Sequence, residues 1–288
     1  MFPIRCCGTT KNGSRCSLTS TSKLVNDRGA SVAKPLRRRG DLCLFHARPF
    51  CYQPARIHGA VVIFIDFETT GLDITRDRIV EIGATSANGN FATVVYPGVK
   101  SESAVHGIDE EELAQGPTFP VAWGRFVAFV EGLVNAAIHE DSDTDDDIDD
   151  LRCLPRPPET SPAVLLVAHN GQCFDYAMLL CECFRHGVSW YPLGRWYFVD
   201  TLWVLRALEP TGGCLKLQCM VQSNGTGSLR AHRALDDCLC LRAVMEFKAE
   251  RCGITLFQLL QPFVVKINSV ASAAQVSVLL DPCVARSV

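Results

Sequence analysis

Hydrophobic and polar residues alternate along the chain in a pattern that predicts strands first, and then helices and strands in turn. Three strand patterns occupy residues 60–66, 78–87 and 90–97, and the Asn-Gly pair at 88–89 favours a tight turn between the second and the third. We therefore expect the sheet to begin with three consecutive strands that pair in an antiparallel manner.

Helical periodicity begins at Pro120 and continues to Val134, and proline suits the first turn of a helix. The later segments alternate, with strands predicted at 163–170 and 196–200 and helices at 173–187, 201–209 and 230–253. This order of elements predicts an α/β domain built on a mixed β-sheet.

The region 139–162 interrupts this pattern. Eight acidic residues fall within 140–150 and four prolines within 155–162, a composition typical of disordered or extended chain. Core-like segments lie on both sides of it. We therefore predict a disordered surface insertion inside one domain that covers residues 59–255.

Charge separates a basic arm, residues 1–58, from an acidic remainder. The arm contains 11 Lys and Arg and two acidic residues, a net charge of +9, whereas the whole chain has a net charge of −3. A basic arm suggests a polyanionic partner, and a solvated tail or an organelle targeting segment is the alternative. After the domain, residues 256–288 are expected to form a C-terminal helix or tail.

Apolar runs are too short to predict a membrane partner. The best candidate, 267–280, has 14 residues and carries several Ser, Asn and Gln, whereas a spanning helix needs roughly 20 apolar residues. The N-terminus lacks the pattern of a secretory signal. Fifteen cysteines, an odd number with many in apolar segments, indicate buried thiols in an intracellular, reducing compartment. The nucleus and the cytoplasm both fit, and an organelle stays open.

Acidic residues stand at the ends of several predicted elements. Asp66 and Glu68 lie two residues apart at the end of a buried strand, so their side chains share a face. Asp175 follows a later strand, and Asp237 lies on the last long helix, five residues after His232. Carboxylates that converge on one point repel each other unless divalent cations bind them, and oxygen ligands suit Mg²⁺ or Mn²⁺.

Three stretches resemble the motifs of the DEDDh, or DnaQ-like, 3′→5′ exonucleases, namely FIDFETTGLD (64–73), AHNGQCFDYAML (168–179) and HRALDDCLCL (232–241). VHGIDEEELAQGPTF (105–119) and DTLWVLRALE (200–209) also resemble family segments, and all five fall in the family's order. The resemblance covers about residues 60–250 and is closest to TREX-type and polymerase proofreading enzymes. It implies an RNase H-like fold, in which helices flank a mixed β-sheet.

The resemblance also implies catalytic roles for five residues, namely Asp66, Glu68, Asp175, Asp237 and His232. The four carboxylates would hold two Mg²⁺ or Mn²⁺ ions about 4 Å apart, which clamp the scissile phosphate. His232 would be the general base that deprotonates the attacking water. The neighbouring Asp236 lacks the family's spacing to this histidine.

Substrate contacts are implied for Thr69, Thr70, Gly71, Leu72, His106, Asn170 and Phe174. In the family, the turn after the first two acids holds the terminal nucleotide, and an apolar residue at the place of Leu72 packs on its base. Gly71 would allow close backbone approach. Asn170 and Phe174 match positions that contact the penultimate nucleotide, and His106 is expected to be structural or a phosphate neighbour. Such contacts need an exposed, single-stranded or frayed 3′ end.

The basic arm carries a second candidate metal site, for one structural Zn²⁺. Cys43 and His46 have the spacing of metal ligands, and Cys16 with Cys6 or Cys7 would complete a tetrahedral set. The spacing between the two pairs matches no standard finger. Incidental cysteines in a disordered arm, or in a transit peptide, are the alternative.

The sequence thus predicts a metal-dependent exonuclease that releases nucleoside 5′-monophosphates from 3′ ends, with DNA slightly favoured over RNA. One alternative is an exoribonuclease of the RNase T or oligoribonuclease type. Another is an adaptor that binds nucleic acid through the basic arm without cutting it. The sequence leaves a homodimer open.

Overall fold

The computed structural model describes residues 57, 59–99, 106–140, 162–209, 212–225 and 233–267. Several predictions fall outside these residues: the polyanion-binding arm, its suggested zinc ligands Cys6, Cys16, Cys43 and His46, most of the acidic insertion, and His232. The chain divides into two compact units, Met1–Gln53 and Pro54–Val288, and every described residue belongs to the second.

Six strands form one mixed sheet in the order β3-β2-β1-β4-β5-β6. They are β1 (Ala60–Thr69), β2 (Ile79–Ser86), β3 (Gly89–Val94), β4 (Ala163–Ala168), β5 (Tyr197–Asp200) and β6 (Val265–Lys266). β1, β4 and β5 run parallel, β2 pairs antiparallel with β1 and β3, and β6 pairs antiparallel with β5. The predicted mixed RNase H-like sheet and its antiparallel start are confirmed.

Eight helices accompany the sheet in the described part of the chain. They are α1 (Glu110–Gln115), α2 (Phe119–Glu140), α3 (Asp175–Arg185), α4 (Tyr191–Arg195), α5 (Thr201–Leu208), α6 (Leu217–Asn224), α7 (Ala234–Arg251) and α8 (Leu256–Leu260), and a 3₁₀ helix, Gln261–Phe263, follows. The predicted helices correspond to α2, α3, α5 and α7. α2 extends to Glu140, slightly into the region where the insertion was expected to begin.

Helices cover both faces of the sheet. Paired residues of neighbouring strands share a face, and Phe91 of β3 pairs with Ala84, whereas the next pair, Gly83 and Ala92, faces the other way. The ring of Phe91 packs on Phe126 of α2 at 5.7 Å between centroids, and Gly83 contacts the start of α7. α2 and α7 therefore lie on opposite faces. One core cluster forms on the α7 side, from residues such as Phe64, Leu165, Val167, Cys238, Leu241, Val244 and Met245.

Helix α2 is long and apolar enough to cross a membrane by length and composition, the one such helix among the described residues, with a mean hydropathy of 1.4 over Phe119–His139. This stretch, which contains Arg125 and Glu131, was not the candidate that the sequence suggested. Its buried residues, among them Phe126 and Val130, belong to the core. The core helix of a folded domain passes the same test of length and composition.

Among the described residues, cysteines occur both as free thiols and in a disulfide. Cys181, Cys183, Cys238 and Cys240 are free and buried, in agreement with the expected reduced thiols. A disulfide between Cys214 and Cys219 departs from that expectation. Their Cα atoms are 5.9 Å apart at the start of α6, which is within the range that a disulfide spans.

Candidate active site

The candidate site lies where the carboxyl ends of the parallel strands β1, β4 and β5 meet at one edge of the sheet. In β1, Asp66 pairs with Gly83 and Glu68 pairs with Glu81 of β2, so both acids face α7. Phe67, between them, is buried on the opposite face. The alternation of the strand therefore delivers two carboxylates to one surface.

Three carboxylates converge although they come from distant parts of the sequence. One carboxylate oxygen each from Asp66, Glu68 and Asp237 lie within 4.8 Å of one another. Asp237 reaches them from the first turn of α7. Asp175, the first residue of α3, lines the same cleft, whereas Asp236 does not.

The acids form part of an open cleft of about 430 Å³. Its lining consists of Asp66, Phe67, Glu68, Leu72, His169, Asn170, Cys173, Phe174, Asp175 and Asp237. Three residues that were expected to contact substrate, Leu72, Asn170 and Phe174, are thus brought to the acids. His169 and Cys173 also line the cleft, although the sequence assigned no role to either.

The turn after β1 is fixed by internal hydrogen bonds. The Thr70 hydroxyl donates to Asp77 Oδ1 at 2.9 Å, and the Thr69 hydroxyl donates to the carbonyl of Gly71 at 2.7 Å. A Cβ at Gly71 would lie 2.5 Å from Asp77 Oδ2, so a larger residue would have to displace the carboxylate that accepts the Thr70 hydroxyl. Leu72 is 81% exposed beside the cleft. The turn therefore presents an apolar side chain to solvent at the rim of the site.

A second turn, after β4, is held by Asp200 at the end of β5. The Asp200 carboxylate accepts backbone hydrogen bonds from Asn170 at 2.9 Å, Gln172 at 3.2 Å and Leu202 at 2.9 Å. Asn170 has a φ of 60°, a left-handed conformation that asparagine tolerates better than most residues. This anchored turn leads directly into Asp175.

The electrostatics of the site favour a bound cation. Burial raises the pKa of Glu68 to about 7, with further contributions from Asp237 and Glu81. Burial also raises the pKa of Asp175 to about 7, and burial together with Asp175 and Asp237 holds the pKa of Asp66 well above its usual value. Burial is the main reason that each group resists ionisation, and the like charges of neighbouring acids add to it. An all-oxygen donor set of this kind fits Mg²⁺ or Mn²⁺.

His106 and His169 differ in whether they line the cleft. His106 is fully buried, its Nδ1 accepts the backbone N–H of Ile108 at 3.2 Å, and it does not line the cleft. Burial lowers its pKa, which favours the neutral ring. His169 lines the cleft, and its Nδ1 lies 2.9 Å from the Thr201 hydroxyl. His232 lies outside the described residues, which begin again at Arg233.

Comparison with known proteins supports the class that the motifs suggested. Residues 63–147 match the family model of the RNase T type, described as an exonuclease. This stretch of the chain is therefore similar to an exonuclease domain.

Individual relatives agree with this class. The chain is 30% identical over 200 residues to Exonuclease DPD1, chloroplastic/mitochondrial, of Arabidopsis thaliana, an alignment that covers 64% of this chain and 55% of that protein. It is 28% identical over 187 residues to the PolC-type DNA polymerase III of Thermotoga maritima, covering 62% of this chain and 11% of that protein. The chain thus spans about half the length of the first relative and about a tenth of the second.

Among solved structures, a crystal structure of E. coli Exonuclease I in complex with a dA16 oligonucleotide has a TM-score of 0.46 and 17% identity, covering 66% of this chain and 41% of that chain. Another structure of exonuclease I has a TM-score of 0.47, also at 17% identity.

Proposed function

We propose that this domain is a metal-dependent 3′→5′ exonuclease that releases nucleoside 5′-monophosphates from single-stranded or frayed nucleic acid ends. The observation that carries the proposal is the convergence of Asp66, Glu68 and Asp237 within 4.8 Å, beside Asp175, on the wall of an open cleft. The match of residues 63–147 to an exonuclease family model supports it.

The carboxylates would hold the metal ions. Asp66, Glu68 and Asp237 offer oxygen atoms close enough for one cation, and Asp175 stands beside them for a second. When bound, divalent ions would stabilise the charge on the scissile phosphate and on the attacking and leaving oxygens. The raised pKa values of Glu68 and Asp175 mean that these residues also hold protons that a cation would displace.

The remaining residues would bind the strand and move a proton. Leu72, Asn170 and Phe174 line the cleft. Leu72 would offer an apolar surface for the terminal base, and Asn170 and Phe174 would contact the next nucleotide. His232 would take the proton from the attacking water, since an imidazole titrates near neutral pH. In the sequence it directly precedes Arg233 and α7, the helix that carries Asp237.

The relatives favour DNA and suggest an organelle. One is a PolC-type DNA polymerase, and the other is an exonuclease named for the chloroplast and mitochondrion. We therefore propose DNA as the preferred substrate, and the basic arm as an organelle targeting segment if it is not a polyanion-binding or zinc-binding module. RNA as the substrate is the alternative that the experiment below decides.

The test uses 5′-labelled single-stranded DNA and RNA of one sequence, incubated with the protein and Mg²⁺. We expect a ladder that shortens from the 3′ end, faster on DNA, and no cleavage with EDTA or with Asp66→Ala. If the RNA is shortened faster than the DNA, RNA is the preferred substrate. Binding without cleavage by folded, metal-loaded protein would instead favour the adaptor.

A matched pair of variants on α7 makes the test specific to the cluster. Asp237→Asn removes a charge inside the carboxylate cluster, and Asp236→Asn removes one from the neighbouring position outside it. Supporting residues around metal ligands are typically worth about 10- to 100-fold in activity, so loss of a ligand should cost at least about 100-fold. Asp236→Asn should keep activity close to the wild type. Equal losses in both variants would contradict the assigned ligand.

A further inference from the structure

Behind the carboxylate cluster lies another buried acid, Glu81 of β2, which is 2% exposed. The Arg233 guanidinium donates to Glu81 Oε1 from Nε at 3.0 Å and from Nη2 at 2.8 Å. The backbone N–H of Ala234 donates to Glu81 Oε2 at 2.9 Å. Both carboxylate oxygens are therefore bound to the segment that begins α7. This arrangement distinguishes Glu81 from Asp66 and Glu68, which face the cleft.

The backbone of α7 touches the same strand two residues further along. A Cβ at Gly83 would lie 2.3 Å from the carbonyl carbon of Ala234 and 2.4 Å from the backbone nitrogen of Leu235. Gly83 is also the pairing partner of Asp66. The first turn of α7 is thus seated on β2, directly beside the acids of β1.

This contact sets the position of Asp237. The backbone N–H of Asp237 donates to the carbonyl of Arg233 at 3.1 Å, so the two residues lie one helical turn apart. Farther along, α7 is held separately by the ion pair between Lys248 and Glu209, at 2.5 Å, and by its buried apolar residues. Loss of the Glu81 contact would therefore release the first turn while the rest of the helix stays packed.

We propose that Glu81 and Arg233 are positioning residues that hold Asp237 at metal-binding distance from Asp66 and Glu68. The inference rests on the proposed metal-dependent function and adds two residues to it. A pair that served stability alone would leave metal affinity unchanged when it was broken.

The test measures Mn²⁺ binding by calorimetry on the full chain without nucleic acid, for Glu81→Ala, Arg233→Ala and the double variant. Positioning residues around a metal typically change affinity by about 10- to 100-fold, and we expect a weakening of that size for each single variant. The two residues share the ion pair, although Glu81 also accepts the Ala234 N–H and Arg233 also pairs with Glu112 at 3.1 Å. The loss of Mn²⁺ affinity in the double variant should therefore be smaller than the sum of the two single losses.

Glu209→Ala is the matched control, because it breaks an ion pair to the same helix far from the cleft. It should lower the melting temperature and leave the Mn²⁺ affinity within about twofold of the wild type. Folded Glu81→Ala and Arg233→Ala proteins with affinities within about twofold of the wild type would overturn the inference. If Glu81→Ala does not fold, the Mn²⁺ affinity of Arg233→Ala is the test, because the Arg233 side chain is 44% exposed. Absence of Mn²⁺ binding by the wild type would overturn the proposed function as well.

Discussion

Buried carboxylates serve two different purposes in this domain, and their hydrogen-bond partners tell them apart. The oxygens of Asp200 and Glu81 accept hydrogen bonds from backbone N–H groups, and Glu81 also from a guanidinium. Asp66 and Glu68 instead face a cleft next to other acids. Burial raises the pKa of Asp200 to about 6 even though its backbone bonds oppose that rise. The first kind of carboxylate fixes the chain, and the second kind is available to a cation.

Replacing Asp200 by asparagine tests its role as an anchor. Asparagine has one acceptor oxygen where the carboxylate has two, so one or more of the N–H groups of Asn170, Gln172 and Leu202 would lose its partner. We expect the free energy of unfolding, measured with urea, to fall by about 1–3 kcal/mol.

The control for that experiment is Asp109→Asn, at the exposed N-cap of α1, where Asp109 accepts a hydrogen bond from the backbone of Glu112 at 2.7 Å. Asparagine caps helices about as well as aspartate. We therefore expect the free energy of unfolding to change by only about a few tenths of a kcal/mol. A similar loss in both variants would show that Asp200 is no special anchor.

At the scale of elements, the seat of α7 on β2 depends on the absence of a side chain at Gly83. The Gly83→Ala substitution would place a methyl group against backbone atoms of Ala234 and Leu235, which cannot turn aside. Overpacking of this kind typically costs about 1–3 kcal/mol. We expect that loss in urea unfolding, together with weaker Mn²⁺ binding, because the helix that carries Asp237 must move outward.

Gly124 of α2 provides the opposite case. A Cβ there would meet no atom within 4 Å, and the residue lies inside a helix. Gly124→Ala should therefore raise the free energy of unfolding by about 0.5–1 kcal/mol and leave metal binding unchanged. If both substitutions destabilise the protein to a similar extent, the close approach of α7 to Gly83 is not the cause of the loss in Gly83→Ala.

Most of the elements that the sequence predicted are long enough to show a period. α1 and α4, with six and five residues, were missed, and of the two helices with eight residues α5 was predicted and α6 was not. β6, of two residues, pairs with β5 and becomes a strand only through that contact. Short segments carry too little pattern to be recognised before the sheet exists.

The residues of the site were predictable to the extent that their chemistry is visible in a motif. Asp66, Glu68 and Asp237 follow family spacing, and the structure gathers them. The clamp formed by Glu81 and Arg233 was missed, because it joins residues 152 positions apart. One signal was present: Glu81 is a charged residue inside a strand that is buried along its whole length.

At the scale of the whole molecule, the acidic cleft couples stability to pH and to metal. The pKa values of Glu68 and Asp175 rise from 4.5 and 3.8 to about 7 on folding. Between about pH 4 and pH 7 the folded state therefore binds more protons than the unfolded state. Without metal, the contribution of Glu68 and Asp175 to the free energy of unfolding is most favourable at low pH. It is lost as the pH rises through about 7.

Thermal unfolding at several pH values, with and without Mg²⁺, measures this coupling. We expect Mg²⁺ to raise the melting temperature little at pH 5 and more at pH 8, because at low pH the cation must displace protons from the carboxylates. Asp237→Asn should reduce the effect of Mg²⁺ at pH 8. A Mg²⁺ effect that is equal at both pH values, or equal in the variant, would contradict binding at this cleft.

The wide spacing of the acids in the sequence affects how the protein comes into being. Asp66 and Asp237 are 171 residues apart (237 − 66), and they meet only when α7 packs against β1 and β2. During synthesis the ribosome must release this late helix before the cleft is complete. The carboxylate cluster is therefore absent from a nascent chain that has not yet reached α7, and so is the metal binding that we propose.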